Sequence, residues 1–474
     1  MTANRTTTGR WREAIAGGFK QILGGCLACA LVAGAQAEPI QERMLDNGMK
    51  VVVKVDRRAP VVVSQVWYRA GSMDESYGVT GVAHVLEHMM FKGTREVPAG
   101  EFSKRIAAAG GRENAFTSRD HTAYFQTLQK DRLELALQLE ADRMGNLVLS
   151  ADEFAKEIRV VQEERRMRTD DNPQALLYEA MLAAAYVAHP YRHPVIGWMN
   201  DLENMRVEDA REWYQRWYAP NNATLVVAGD VSPEQVFAWA NHYFGAYPAR
   251  ALPSRKAHAE PAQSGVRQLT VKAPAKQAVL AMAWQAPRLN TPQSEWEPYA
   301  LEVLAGVLDG HASARLNQSL VRDQRLASEV GASYDAISRG PALFMVDAAP
   351  VEGKSVAEVQ AALKAEISRL VTEGVQVAEL ARVKAQVVAG QVYQQDSLFY
   401  QAMLIGEWTT AGLDYRDREA RLAGLKAVTP EQVREVARKY LVDERLTVAV
   451  LDPQPLPEGA AVARRAVAGD RHVR

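Results

Sequence analysis

The chain has 474 residues, of which 47% are hydrophobic and 24% charged, and its formal net charge is −1. This is the composition of a globular protein long enough for two or more domains with full cores. So even a balance implies no polyanion partner, and no segment reads as a nucleic-acid patch.

Residues 1–37 read as a secretory signal. Arg5, Arg10, Arg12 and Lys20 form a basic start, Ile22 to Ala33 is apolar but too short for a membrane span, and Ala35-Gln36-Ala37 is a small-x-small cleavage site. A lipoprotein-like Leu23-Gly24-Gly25-Cys26 is set aside because Lys20 interrupts the apolar run before it. Both cysteines, Cys26 and Cys29, fall inside this segment. The mature chain then has no disulfide and no thiolate, which excludes a cysteine protease. Export of this kind points to a bacterial periplasm, with no stable membrane span left in the mature chain.

From residue 38 the chain opens with a hairpin, Asp46-Asn47-Gly48 turning Met44 into Val51-Val52-Val53. Val61 to Arg69 reads as a strand, followed by helices, then Tyr124 to Leu128 and Thr224 to Ala228 as further strands. Residues 246–267 are rich in Ala, Pro and charge and read as an exposed linker. Beyond it the order recurs: strands at Gln277–Trp284 and Leu343–Ala349, helices at Ser294–Leu308 and Val356–Thr372, and a last strand at Leu446–Leu451. The predicted class is α+β, with two similar tandem domains, each a mostly antiparallel sheet with helices packed on one face. The expected division is 38–250, a linker at 251–267, 268–454, and a frayed tail at 455–474.

The chemistry concentrates in His84-Val85-Leu86-Glu87-His88. Two histidines four apart share one face of a helix, and Glu87 projects to its edge. Two neutral imidazoles can hold zinc, and a carboxylate beside them can take a proton from water. The competing reading is a polar turn on a surface helix. The flanks oppose it, because Val82, Ala83, Val85, Leu86, Met89, Met90 and Phe91 are nearly all apolar, and ionisable groups in such a helix are costly unless something satisfies them. Met89-Met90-Phe91 itself reads as packing.

A third ligand must come from elsewhere. Ala151 to Arg168 reads as a helix capped by Ser150, with Glu153, Glu157, Glu163 and Glu164 on it. Glu157 and Glu164 share a face two turns apart, with Val161 between them. A run of acids is ordinarily a solvated face.

Three segments give the chain a family resemblance. Gly81 to Thr94, Asn114 to Thr122, and Trp217 to Asp230 resemble the metal helix, the substrate-edge strand and the end of the first repeat of the pitrilysin or insulinase zinc peptidases. The HxxEH order is that of the inverzincins. The likeness is to the half-length branch, which includes mitochondrial processing peptidase and paired bacterial periplasmic homologues. The resemblance implies one Zn²⁺ per chain held by His84, His88 and Glu164, with Glu157 supporting the site and Glu87 as general base. Glu163, the adjacent competitor, points about 100° away from Glu157. It also implies that substrate adds as a strand along Asn114, Ala115 and Phe116.

One feature departs from the family. Active relatives carry an Arg and, seven residues on, a Tyr in the metal-free half. Here Arg322 is followed at that distance by Glu329, and Tyr334 lies too far along. The implied partner is a homologous subunit that supplies the pair. The expected function is a zinc endopeptidase acting on extended peptides, as the metal-bearing subunit of a heterodimer. The alternative is a non-catalytic assembly or peptide-capturing subunit of the same fold. His189 and His193 are also four apart, but Pro190 and Pro194 make that stretch a structured turn. His121, His242, His258, His311 and His472 show no partner pattern.

Overall fold

The computed structural model describes residues 40–456. The signal-like segment at 1–37, both cysteines, His472 and the tail beyond residue 456 lie outside them.

The hairpin forms as its turn residues dictate. β1 (Gln41–Met44) pairs antiparallel with β2 (Lys50–Val55), and Gly48 turns at φ +82°. β3 (Val61–Tyr68) follows, then α1 (Val82–Met89) and α2 (Glu101–Ala108). The stretch Asn114–Thr122 is not one strand. β4 (Arg112–Thr117) ends in a turn where the Ser118 hydroxyl accepts from the Asp120 and His121 amides, and β5 (Thr122–Gln129) returns beside it. Then come α3 (Leu133–Asn146), α4 (Ala151–Arg165), α5 (Pro173–Ala185), α6 (Met199–Asn204), α7 (Val207–Trp217), β6 (Ala223–Gly229) and α8 (Pro233–Tyr243).

The second half begins with β7 (Arg267–Pro274), which pattern reading passes over because its side chains alternate between exposed and half-buried with little apolar signal. β8 (Val279–Ala286), α9 (Glu297–Asp309), β9 (Ala327–Tyr334) and β10 (Ala342–Pro350) follow. Next are α10 (Val356–Glu373), α11 (Val377–Tyr393), α12 (Leu398–Ala411), α13 (Arg418–Ala427), α14 (Pro430–Tyr440) and β11 (Leu446–Gln454).

The strands form two sheets, β1-β2-β6-β3-β5-β4 and β7-β11-β8-β10-β9. With β1 set aside the two orders superpose strand for strand. Each has one parallel pair in the same place, β2–β6 and β7–β11, among antiparallel neighbours. The duplicated element order in the sequence is thus a duplicated topology.

Each sheet packs its own helices on one face. The other face is covered by a helix from the opposite half. α12 lies across β3 and β6, and α5 across β7, β8 and β11. Val52, Val63, Trp67 and Ala228 of the first sheet therefore join the core of the second half, while Leu177 and Met181 of α5 pack on Ala281, Ala283, Ala449 and Leu451. This accounts for the unbroken apolar run at Val61-Val62-Val63, since a strand covered on both faces loses the polar alternation. Residues 248–266 form no helix or strand but are not a free tether. Arg255 pairs with Asp74 at 2.9 Å, and buried Gln263 donates to the Leu446 carbonyl at 2.5 Å. No helix of the described residues is long and apolar enough to cross a membrane.

Candidate metal centre

α1 is short, and its start is fixed from outside. Its N-cap is Gly81 at φ +88°, with no side-chain cap of its own. Glu75 supplies one at a distance, accepting from the Gly81 amide at 2.8 Å and the Ala83 amide at 2.9 Å. Burial pushes the Glu75 carboxyl up to about 8 against the pull of these two amides. A Cβ at Gly81 would meet the Ile196 carbonyl oxygen at 2.6 Å, so only glycine permits that approach. Thr80 donates from both its amide (3.1 Å) and its hydroxyl (2.6 Å) to Asp201 of α6. α1 is thus anchored before its first histidine.

α4 presents the opposing acids. Ser150 caps it by accepting from the Glu153 amide at 3.2 Å. Its buried face is Phe154, Glu157, Val161 and Glu164. Glu163 points outward, its side chain 63% exposed, and pairs with Arg166. The helix expected to reach Arg168 ends its α-turns at Arg165 and continues as a wider π-turn over Arg166–Asp170. Arg165 locks this end, donating to Glu179 of α5 at 2.9 Å and to the Gly197 carbonyl at 2.8 Å. Gly197 is the residue packed against Gly81, so Arg165 also ties the end of α4 to the start of α1.

The structure brings His84, His88 and Glu164 together. Glu164 Oε2 lies 3.3 Å from His88 Nε2 and 3.9 Å from His84 Nε2. The three ligand atoms fall within 4.8 Å of one another. A tetrahedral zinc ion with ordinary bond lengths holds its ligand atoms roughly 3.4 Å apart. Two imidazoles and one carboxylate are also a donor set of a catalytic zinc site, so the residues fit the ion.

Glu157 sits behind His88, with Oε2 3.3 Å from Nδ1 and Oε1 paired with Lys92 Nζ at 2.5 Å. An Nδ1–H donated to Glu157 leaves the Nε2 lone pair facing Glu164. Burial pushes the His88 imidazole down, but its hydrogen bonds to Glu157 and Glu164 outweigh that and raise it. The same His88 bond, opposed by burial and helped by Lys92, holds Glu157 low. Burial pushes Glu164 up, yet the His88 bond and the His84 and Arg168 charges bring it to about 2. Its other oxygen, Oε1, pairs with Arg168 Nη1 at 2.9 Å.

Glu87 is buried, and its Oε2 accepts the Thr117 hydroxyl at 2.6 Å. Thr117 is the last residue of β4, the edge strand of its sheet, so the carboxylate between the two histidines is held by the strand the sequence marks for substrate. Ala115 is buried on the same strand. Asn114 lines a cavity of about 520 Å³ with Phe125 and Thr127. Phe116 packs edge-on against Trp67, with centroids 5.5 Å apart.

Sequence reasoning missed Thr117, Lys92, Arg168 and Glu75. Thr117, Lys92 and Glu75 act through contacts that no spacing reveals, although Thr117 and Lys92 lie inside the two resembling segments, whereas Arg168 stands four residues after Glu164 and could have been found from that spacing. His189 and His193 flank a 3-10 turn, with His189 Nδ1 accepting from the Tyr191 amide at 3.2 Å. Tyr334 gives its hydroxyl to the Pro287 carbonyl at 2.5 Å.

Residues 50–197 match the family model described as Insulinase (Peptidase family M16), and residues 204–387 match Peptidase M16 inactive domain. The zinc protease PqqE of Helicobacter pylori is 31% identical over 92% of this chain and 98% of its own length. A zinc protease of Mycobacterium leprae, named as uncharacterized, is 32% identical over 88% and 93%. A crystal structure of a protease from Helicobacter pylori superposes with a TM-score of 0.83 at 30% identity, covering 88% of this chain and all of that one. The periplasmic protease PqqL of Escherichia coli shares the fold, with a TM-score of 0.76 at 20% identity over 88% of this chain and 48% of PqqL.

Proposed function

Since this chain belongs to the insulinase family of peptidases, M16, in its half-length branch, we propose that it is a zinc-dependent endopeptidase hydrolysing extended peptides or unfolded segments. The observation that carries this is the convergence of His84, His88 and Glu164 beside a Glu87 held by the edge strand. In this reading His84, His88 and Glu164 hold one Zn²⁺. The ion, when bound, acts as a Lewis acid toward a carbonyl and acidifies water.

The chain's own residues do the rest. Glu87 takes a proton from the attacking water and passes it to the leaving amine. Thr117 orients the Glu87 carboxylate through its bond to Oε2. Glu157 fixes the His88 ring through Nδ1, the usual service of a carboxylate behind a metal-bound histidine. A peptide pairing with the outer edge of β4 along Asn114, Ala115 and Phe116 would bring its scissile bond past Glu87.

The same proposal includes the division into 38–250 and 268–454 and export to the periplasm. It also makes this chain the metal-bearing partner of a homologous subunit that supplies the Arg/Tyr pair, since Arg322 here is followed seven residues on by Glu329 in place of Tyr. The chain's 48% coverage of PqqL, and 93% of a structure of the first half of PqqL, support pairing by leaving room in that protein for a second half-length unit. A non-catalytic assembly or peptide-capturing role is the alternative. Peptide hydrolysis abolished by a chelator, restored by Zn²⁺ and increased by a co-encoded homologue is the expected result. Full activity of the chain alone would refute the pairing. Peptide binding without cleavage, with and without that homologue, would refute the enzyme.

A further inference from the structure

A second cavity, of about 860 Å³, lies between the end of β3, residues 255–260, and one end of the second sheet, where β8 and α14 finish and β10 and β11 begin. Seven Lys or Arg side chains line it and one acid, Glu260. The whole chain has 56 basic and 57 acidic residues, so this is a local concentration of charge to which overall composition is blind. Glu260 offsets only one of these charges, and its two oxygens are held by the amides of Val187, Ala188 and His189 at 2.7 to 2.9 Å.

Three of the seven cations make ion pairs, with two carboxylates between them. Arg255 and Arg339 share Asp74, and Lys439 pairs with Glu297. The other four are Arg69, Lys256, Arg288 and Arg445, and among the described residues none of them makes an ion pair. Arg69 Nε donates to the Thr410 carbonyl at 2.9 Å and Arg288 Nη1 to the Ser338 carbonyl at 2.8 Å. The Arg445 guanidinium lies 5.1 Å from the Tyr440 ring centroid, and Lys256 is exposed. Burial and the Arg339 and Arg255 charges pull Arg69 down to about 10 despite Asp74 and Asp120 nearby. Cations gathered around one cavity with no ion-pair partners of their own, three of them half-buried, repel one another, and a bound anion relieves that repulsion. Guanidinium forks suit oxyanions in particular, since they donate two parallel hydrogen bonds. The volume is that of a small-molecule site.

We infer that this cavity binds a small multivalent oxyanion, one carrying two or more negative charges on neighbouring phosphate or carboxylate groups. The ligand would bridge residues 255–260 to the second sheet, away from the His84, His88 and Glu164 cluster, none of which lines the cavity.

Calorimetric titration of the purified chain with pyrophosphate, and separately with citrate, tests this at low ionic strength. The expected result is saturable one-site binding of at least one of them. Arg288→Ala/Arg445→Ala should weaken it about tenfold or more, as loss of charge-assisted hydrogen bonds implies. Lys256→Ala, at an exposed position, is a second variant that should weaken it without risk to the fold. The tighter of the two ligands identifies phosphate or carboxylate as the natural chemistry. No saturable binding of either anion, or unchanged binding in the folded variants, would overturn the inference. Neither readout depends on peptide cleavage, so failure here leaves the proposed peptidase untouched.

Discussion

Glu157→Gln is the sharpest test of how the centre is built. Glu157 serves two donors at once, His88 Nδ1 at 3.3 Å and Lys92 Nζ at 2.5 Å. Glutamine keeps the volume but offers one acceptor oxygen and one NH₂ group. If the amide oxygen turns to His88, the NH₂ faces the Lys92 ammonium. If it turns to Lys92, the NH₂ faces His88 Nδ1 and favours the tautomer with the proton on Nε2, which cannot bind metal. Loss of such a supporting carboxylate costs about 10- to 100-fold in metal affinity, which corresponds to about 1.4–2.7 kcal/mol. Removing the ammonium as well, in Glu157→Gln/Lys92→Met, frees the amide oxygen for His88 and should recover part of the loss. The assay is competition for zinc against a fluorescent chelator, with the melting temperature of the metal-free proteins as a check on folding. Zinc affinity in Glu157→Gln equal to wild type would refute the tautomer argument. Complete loss of binding would make Glu157 a ligand itself.

Other outcomes follow from the same geometry. Thr117→Val should lower kcat by about 10- to 100-fold, the worth of a hydrogen bond to a charged group, while KM and zinc content stay unchanged and Thr117→Ser restores activity; an unchanged kcat in folded, zinc-loaded Thr117→Val would contradict the orienting role. In metal-free protein Glu164 is held at about 2 from an ordinary 4.5. A depressed carboxylate stabilises the fold fully above about 4.5 and loses that contribution as pH falls toward 2. Thermal melts of Glu164→Gln should therefore show a shallower acid decline over that window than wild type. Gly406→Ala would drive a methyl group into the Trp67 ring where α12 crosses β3, costing about 1–3 kcal/mol or more as overpacking. Its melting temperature should fall even though residue 406 is remote in sequence from the metal helix.

The site was legible to the extent that its parts obey local periodicity. His84, Glu87 and His88 are one helical turn, and Glu157, Val161 and Glu164 are one buried helical face, so the sequence contains both walls. The preference for Glu164 over Glu163 came from the same 100° rule and matches their burial. What was hidden is what links elements far apart in sequence. Thr117 meets Glu87 across 30 residues, and Glu75 reaches amides at 81 and 83 only because the intervening chain folds back. The exchanged helices were equally hidden, because no local pattern in α5 or α12 names the sheet that each one covers. β7 escaped notice because it is an edge strand, where one face is solvated and apolar residues are sparse. The linker is mostly exposed, as its composition implies; what composition does not reveal is that Arg255, Glu260 and Gln263 spend their polar groups on other parts of the protein.

The most direct measurement pairs zinc content with peptide cleavage for wild type and Glu87→Gln, each with and without a co-encoded homologous subunit. Stoichiometric zinc in both proteins, with cleavage confined to wild type and raised by the partner, is the predicted result. Cleavage surviving in zinc-loaded Glu87→Gln, or a wild-type chain that takes up no zinc, would contradict the central claim.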